Sequence, residues 1–161
     1  MSNQGRSMIC YLVRHGDAKS ELVDPRRPLS DLGKKQVEMV AAAARARGAE
    51  VAEVWHSDKL RAEQTAAILA RVLGVSVTRE VGGLAPNDDP AIAQAELESA
   101  PDRVMLVGHL PHLSRLFSLL VSGDPERQPI EMPAAAMVCL EREAQSWKLG
   151  WMLDPDRALG G

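Results

Sequence analysis

Two histidines and two arginines occur beside short apolar runs, where chemistry-bearing residues of α/β proteins commonly lie. Arg14 and His15 follow the run 8–13, and Gly16 comes directly after them. Arg61 follows the run 51–55 by six residues, and His109 follows the run 104–107 by two. Guanidinium groups match phosphate oxygens with a planar fork of donors. Neutral imidazole is a competent nucleophile toward phosphorus. These residue types therefore favour phosphoryl transfer.

The pattern of apolar runs and helical periodicity predicts the elements that carry these residues. Strands are expected at 8–13, 51–55, 75–78, 104–107, 137–140 and 147–152. Helices are expected at 30–47, where Ser30 is a natural N-cap, and at 59–73, 91–99 and 111–121. The alternation predicts an α/β fold, a three-layer sandwich whose mostly parallel central sheet is flanked by helices, with an antiparallel hairpin at its C-terminal edge.

This topology predicts where the chemistry lies. In open α/β sheets, ligands bind beyond the carboxyl ends of the strands. His15, the segment 57–63 and His109 each follow a predicted strand, so they should meet at one edge of the sheet. The helix after His109 should add backbone N–H groups and the positive end of its dipole. Nearby arginines should also keep the histidines neutral, because like charge disfavours protonation.

Composition excludes several classes of protein. The chain has 161 residues, of which 45% are apolar and 25% are charged, as in an ordinary globular domain. The formal net charge of −3 and the aromatic content of 3% argue against a nucleic-acid binder. Cys10 and Cys139 are too few for a disulfide framework, and they are expected to be buried thiols. We expect a disordered segment at 1–7 and a single domain at 8–161.

Four ordered motifs resemble those of the histidine phosphatase superfamily. The run 12–16 (LVRHG) resembles its R-H-G signature, the run 57–65 (SDKLRAEQT) its second motif, and the run 107–109 (VGH) its third. The runs 14–18, 27–30 (RPLS), 61–65 and 108–111 (GHLP) are similar to the SixA-type phosphohistidine phosphatases. The similarity extends from about residue 8 to residue 155.

The resemblance implies a role for each matching position. His15 would be the nucleophile that takes the phosphoryl group, while Arg14 and Arg61 would hold its oxygens. His109 would bind the phosphoryl group and stabilise charge in the transition state. Arg27, in the R-P-L-S run, would add a further phosphate contact. Water would then hydrolyse the phosphohistidine intermediate, with no metal and no cofactor.

One departure concerns the general acid that many members of the superfamily carry. No glutamate of this chain falls in a matching motif, and Asp88 is the nearest candidate, although it is also a plausible turn residue. An alkoxide leaving group needs a proton from the enzyme. Phosphohistidine can leave as neutral imidazole when its other ring nitrogen is protonated. Weak acid catalysis would therefore favour P–N over P–O substrates.

Three alternatives remain open at this point. A small-molecule phosphomonoesterase on the same scaffold would use Asp88 as its acid. An idle phosphate-binding module would not need the pair His15 and His109. A metal site would need ligand spacings such as H-E-x-x-H, which do not occur in the chain.

The expected partner is a protein that bears phosphohistidine, either a phosphotransfer domain or a phosphocarrier protein, and this expectation comes from the resemblance alone. Phosphate or another tetrahedral oxyanion should occupy the pocket. Nucleic acid and membranes are not expected partners. The chain has no apolar stretch of about 18 residues and no apolar region behind its first seven residues, so the cytoplasm is the expected location.

Overall fold

The computed structural model describes residues 5–159, and these form a six-stranded sheet with five helices. In chain order the strands are β1 (Gly5–Arg14), β2 (Glu53–His56), β3 (Thr78–Glu80), β4 (Arg103–Gly108), β5 (Met137–Ala144) and β6 (Ser146–Leu153). The helices are α1 (Asp31–Ala46), α2 (Leu60–Leu73), α3 (Pro90–Leu97), α4 (His112–Ser122) and α5 (Pro155–Leu159). None of the helices in this part of the chain is long and apolar enough to span a bilayer.

The strand order across the sheet is β3-β2-β4-β1-β5-β6. The first four strands in that order are parallel, and β5 and β6 add an antiparallel edge. The predicted architecture is therefore confirmed. Its consequence is that β2, β4 and β1 lie side by side and end at the same edge.

Both faces of the sheet are buried, as the apolar run of β1 predicts. Cys10 and Leu12 belong to one apolar core, and Tyr11 and Val13 belong to the other. Successive side chains of a strand point to opposite faces, so a strand covered on both sides needs a continuous apolar run. The first core lies under α3 and α4, and the second lies under α1 and α2. This gives the three layers.

Ser30 begins α1 as the sequence predicts. Its side-chain oxygen accepts a hydrogen bond from the backbone N–H of Gly33 at 3.0 Å, which satisfies one of the free donors of the first turn. The buried face of the helix is formed by small and β-branched residues at helical spacing: Val37, Val40, Ala41 and Ala44. These short side chains let α1 pack closely against the sheet and α2.

Several sequence-based boundaries were wrong. Of the segment 1–7 expected to be disordered, residues 1–4 lie outside the described part of the chain, while residues 5–7 belong to β1, in which Gly5 pairs with Ala144 of β5 across an irregularity in the register. The third strand lies at Thr78–Glu80 and not at 75–78, since it is positioned by pairing with β2. Helix α5 was not predicted. Its single turn has too few residues to display an apolar period.

Candidate active site

Three neighbouring strands bring the candidate residues to one edge. Arg14 ends β1 and pairs with Gly108 at the end of β4, while His56 ends β2 and pairs with Val107. The residues that follow these strands therefore leave the sheet side by side. The structure thus brings together His15, the start of α2 and His109, as topology alone predicted.

His15 and His109 face each other across the site. Their ring centroids lie 5.0 Å apart, with an angle of 56° between the ring planes. The backbone N–H of His15 donates to the carbonyl oxygen of Gly108 at 3.1 Å. That bond extends the ladder between β1 and β4 by one residue beyond the strand, and it fixes the distance between the two loops that carry the rings.

The His15 ring is neutral, and its tautomer follows from its hydrogen bond. Its Nδ1 lies 2.7 Å from the carbonyl oxygen of Gly16. A carbonyl oxygen only accepts, so Nδ1 carries the proton and Nε2 keeps its lone pair. Burial lowers the pKa of His15 to about 4, and the charges of Arg61, Arg14 and Arg27 act in the same direction, while the bond to Gly16 opposes them. At neutral pH the ring therefore needs no base to remove a proton from Nε2.

His109 is held from behind by Ser57. Its Nε2 lies 2.7 Å from the Ser57 hydroxyl, and the side chain of His109 is buried. Its Nδ1 is also buried and makes no hydrogen bond to any residue in the range 5–159. Burial lowers the pKa of His109 to about 3, and the next contributions come from His15 and Arg61.

The two arginines also present buried nitrogen atoms to the site. Arg14 donates from Nη1 to the carbonyl oxygen of Met132 at 2.8 Å, which fixes the direction of its guanidinium group. The Nε atoms of Arg14 and Arg61 are buried and have no hydrogen-bond partner within the described residues. Burial, followed by the charge of Arg27, lowers the pKa of Arg61. Buried donors without partners are costly, so they mark where an anion fits.

Thr65 joins the loop after β1 to α2. Its hydroxyl accepts a hydrogen bond from the backbone N–H of Gly16 at 3.1 Å and donates one to the carbonyl oxygen of Arg61 at 2.8 Å. A side chain at position 16 would clash, because its Cβ would lie 2.7 Å from the carbonyl oxygen of Gly33. Glycine at this position is therefore required by close approach of α1.

Arg27 lies at the border of the site. Its charge lowers the pKa of both His15 and Arg61, and its Nε donates to the carbonyl oxygen of Lys19 at 3.1 Å. Its backbone has a φ of 49°, a left-handed conformation that is uncommon for a residue with a side chain. That turn directs the segment after it back toward Ser30. A role of Arg27 in phosphate binding stays a prediction.

Asp88 does not join this cluster by any hydrogen bond or ion pair among the described residues. Its carboxylate accepts the backbone N–H of Ala85 at 3.0 Å, which closes a turn of the loop between β3 and α3. Its charge acts on His112, whose pKa it raises against the larger effect of burial. The structure shows Asp88 in this turn, and its role as a general acid stays a prediction.

Sequence reasoning assigned no role to Ser57, Thr65 or Met132. Ser57 and Thr65 stand at the first and last positions of the second motif, so the motif contained the signal although their partners were not apparent. Nothing in the sequence indicated Met132, because a backbone carbonyl as partner depends only on where the chain passes. The other two histidines are buried: His56 bonds the carbonyl oxygen of Ser57 through Nδ1 at 2.8 Å, and His112 packs in the first turn of α4.

Cys10 and Cys139 are free and buried, as expected, and burial raises the pKa of each thiol. Within residues 5–159, no three histidine, cysteine or carboxylate side chains are grouped in a way that could hold a metal ion. The charged groups concentrated at the site are guanidinium groups. An anion is therefore the ligand that the site suits.

Comparisons with known proteins agree with this geometry. Residues 10–82 match the family described as the histidine phosphatase superfamily, branch 1. The phosphohistidine phosphatase SixA of Escherichia coli K12 is 28% identical over 154 residues, which cover 92% of this chain and 94% of that protein. An uncharacterized protein of Picosynechococcus is 33% identical over 124 residues, covering 73% and 75% of the two chains.

A solved structure shares the fold and its ligand is an oxyanion. The structure of the protein histidine phosphatase SixA complexed with tungstate superposes with a TM-score of 0.83 at 25% identity, covering 93% of this chain and 99% of that chain. The family match and the relatives point to the same family as the paired imidazoles beside arginine Nε atoms that have no partner within residues 5–159. This chain belongs to the histidine phosphatase superfamily, and it is a phosphatase.

Proposed function

We propose that this phosphatase removes the phosphoryl group from a histidine side chain of a partner protein, through a covalent phosphohistidine on His15 and without a metal ion. The observation that carries the proposal is the pair of neutral imidazoles, with ring centroids 5.0 Å apart, close enough to Arg14 and Arg61 for their charges to lower the pKa of His15, while the Nε atoms of both arginines are buried without a partner among the described residues. The names of the SixA relatives support the choice of substrate class.

His15 acts as the nucleophile through Nε2. With Nδ1 bonded to the Gly16 carbonyl, the ring cannot turn and its lone pair stays directed away from the backbone. Covalent catalysis divides one difficult displacement into two easier ones. The lowered pKa keeps most of the enzyme in the reactive, neutral form throughout the physiological range.

Arg14, Arg61 and Arg27 bind the phosphoryl oxygens. Their fixed positive charges stabilise the negative charge that spreads over these oxygens in the transition state. His109 adds a hydrogen bond from Nδ1 when Ser57 donates its hydroxyl proton to Nε2. The guanidinium groups thus supply the electrostatic stabilisation for which other phosphatases use a metal ion.

The bonds change in two steps. In the first, a bond forms between His15 Nε2 and phosphorus while the bond between phosphorus and the substrate imidazole breaks. The substrate imidazole leaves as a neutral ring, because its other ring nitrogen takes a proton from solvent before the bond to phosphorus breaks. In the second, a water oxygen bonds to phosphorus, the bond to Nε2 breaks, and phosphate leaves with one proton released to solvent.

The position of Asp88 favours P–N over P–O substrates. An alkoxide must be protonated as it leaves, and the Asp88 carboxylate is engaged by the Ala85 N–H in a turn. An imidazole leaving group needs no such acid. The partner class we propose is therefore a phosphotransfer domain or a phosphocarrier protein, and slow hydrolysis of alkyl phosphomonoesters is expected.

Trapping of the phosphoenzyme tests the proposal. A phosphotransfer domain labelled with ³²P on histidine is mixed with the enzyme in the presence of a chelator, and the reaction is quenched in base, in which phosphohistidine survives. Wild type should carry label and release phosphate, whereas His15→Ala should do neither. The matched control is His56→Ala, which changes a buried histidine outside the cluster and should still be labelled.

Two results would contradict the proposal. Loss of wild-type activity in chelator would show that a metal ion is required. Equal efficiency on an alkyl phosphomonoester and on the phosphohistidine domain would instead favour the small-molecule phosphomonoesterase, with an acid such as Asp88, and an Asp88→Asn variant would then lose activity on the ester only.

A further inference from the structure

The loop between β1 and α1 presents two apolar side chains at its tip. Leu22 is 99% exposed and Val23 is 72% exposed, more than any other large apolar residue of the described chain. A single exposed apolar residue is ordinary. Two consecutive ones, almost fully in water, are unfavourable in a free protein and typical of a surface that another molecule covers.

The tip is held in place by its own backbone. The N–H groups of Val23 and Asp24 both donate to the carbonyl oxygen of Ser20, at 3.1 and 3.0 Å. The Arg27 N–H donates to the carbonyl oxygen of Asp24 at 2.9 Å. These bonds form consecutive turns, so the two apolar side chains project from an ordered loop. A surface that is ordered before binding loses little entropy when a partner covers it.

The same loop borders the phosphoryl site. The Lys19 N–H donates to the carbonyl oxygen of Pro28 at 2.9 Å, and Ala18 forms a bridge with Leu29, so the two arms of the loop run side by side. Arg27, on the returning arm, acts on the pKa of His15. The tip therefore rises from the rim of the pocket in which the phosphoryl group would lie.

We propose that Leu22 and Val23 form a docking tip for the protein substrate, in contact with an aliphatic surface next to its phosphorylated histidine. This inference rests on the proposed function. The arginines at the pocket match the dianionic phosphoryl group, and the two aliphatic side chains at the tip, which stand between Glu21 and Asp24, match apolar side chains around it. A free phosphorylated amino acid is too small to fill the pocket and reach the tip together, whereas a folded domain covers both.

The test compares two substrates of different size. The double variant Leu22→Ser with Val23→Ser is assayed on a folded histidine phosphotransfer domain, phosphorylated on its histidine, and on free phosphohistidine. For the domain, kcat/KM should fall about tenfold or more, mainly through KM, because buried apolar anchors carry much of the affinity of an interface. For free phosphohistidine, kcat/KM should be unchanged.

Two control variants accompany it. Leu149→Ser removes another exposed leucine, on the edge strand β6, and should leave both activities unchanged. Leu22→Met with Val23→Ile keeps the tip apolar and should retain activity on the domain. Because all of these side chains are exposed, the variants should fold as wild type does.

Each contrary result has its own meaning. An equal loss on both substrates would mean that the tip shapes the pocket, and no loss on either would mean that it touches nothing; both overturn the docking role. A wild-type dimer in sedimentation velocity that the Ser variant abolishes would assign the tip to a second copy of this chain instead.

The wild-type enzyme separates the docking role from the proposed function. Equal wild-type kcat/KM on the domain and on free phosphohistidine would overturn the docking role but leave the proposed function intact. Hydrolysis of neither substrate would overturn the proposed function itself.

Discussion

At the scale of single residues, the direction of His109 is decided by one hydroxyl group. The Ser57 side chain has two hydrogen-bond partners. Its Oγ lies 2.7 Å from His109 Nε2, and it accepts a long hydrogen bond from the Lys59 N–H at 3.3 Å. With its oxygen accepting from the backbone, the serine is free to donate its proton to Nε2. When the serine donates in this way, the proton of His109 lies on Nδ1, which has no partner within the described residues.

Replacing this hydroxyl should slow the reaction without unfolding the protein. Ser57→Ala frees the His109 ring to rotate or to change tautomer, and we expect kcat to fall by about 10- to 100-fold, as small misplacements of a catalytic group do. Phosphate binding, measured by calorimetry, should weaken less than kcat falls. Ser57→Thr keeps the hydroxyl and should recover part of the rate. Equal kcat in Ser57→Ala and wild type would exclude this role.

At the scale of elements, the N-terminus of α1 holds the loop that carries His15. The Ser30 hydroxyl donates to the Asp17 carboxylate at 2.5 Å and accepts the Gly33 N–H, so one side chain caps the helix and binds the loop. Gly33 lies so close to this loop that an added Cβ would be 2.0 Å from the carbonyl oxygen of Asp17. The helix and the loop that carries His15 are therefore in backbone contact.

Because of this contact, we expect Gly33→Ala to lower the free energy of unfolding, whereas Gly→Ala in a helix usually raises it. In an exposed helix, Gly→Ala stabilises by roughly 1 kcal/mol through helix propensity. At Gly33 the forced separation of α1 from the loop should instead destabilise the protein by about 1–3 kcal/mol, as overpacking does, and it should reduce kcat. Urea unfolding and the phosphatase assay measure the two effects.

Gly82→Ala is the matched control for Gly33→Ala. An added Cβ at Gly82 meets no atom within 4 Å, and its backbone is not left-handed, so stability should change by at most about 0.5 kcal/mol. A Gly33→Ala variant as stable and as active as Gly82→Ala would show that the contact between α1 and the loop is not restrictive.

At the scale of the whole molecule, the buried imidazoles couple stability to pH. The pKa values of His15 and His109 are lowered to about 4 and about 3, chiefly by burial, so the folded protein binds fewer protons than the unfolded chain below pH 6.5. Their stabilising contribution is present above pH 6.5 and is lost progressively as pH falls toward 4 and 3. Phosphate should oppose this loss, because it brings negative charge to the cluster.

The free energy of unfolding should therefore decrease between pH 7 and pH 5. Each imidazole contributes at most about 1.4 kcal/mol per pH unit to the slope. The total slope should therefore be smaller in the His15→Asn and His109→Gln variants, each of which lacks one of the two rings. Urea unfolding at several pH values, in a buffer without phosphate, measures this slope. An identical slope in wild type and in both variants would show that these rings titrate normally in the folded state.

The edge of the sheet at which the site lies was predictable from the order of strands and helices alone. Strands that alternate with helices pair in parallel, and parallel strands end at the same side, so His15 and His109 were expected to meet before any distance was known. The Ser30 cap and the apolar face of α1 were equally accessible, since both are local patterns of a few residues. The resemblance of the motifs to a known family then indicated phosphoryl transfer as the chemistry of the residues at this edge.

Only the tertiary structure decided which groups support these residues. Ser57 behind His109 and the Met132 carbonyl on Arg14 join segments far apart in the sequence. Patterns along a sequence record burial and backbone preference, which are local. Hydrogen bonds between distant segments form only when the layers pack. The close approach of Gly33 to the carbonyl oxygen of Asp17, which leaves no room for a Cβ, arises in the same way. Packing sets these distances between segments, and no local pattern of the sequence specifies them.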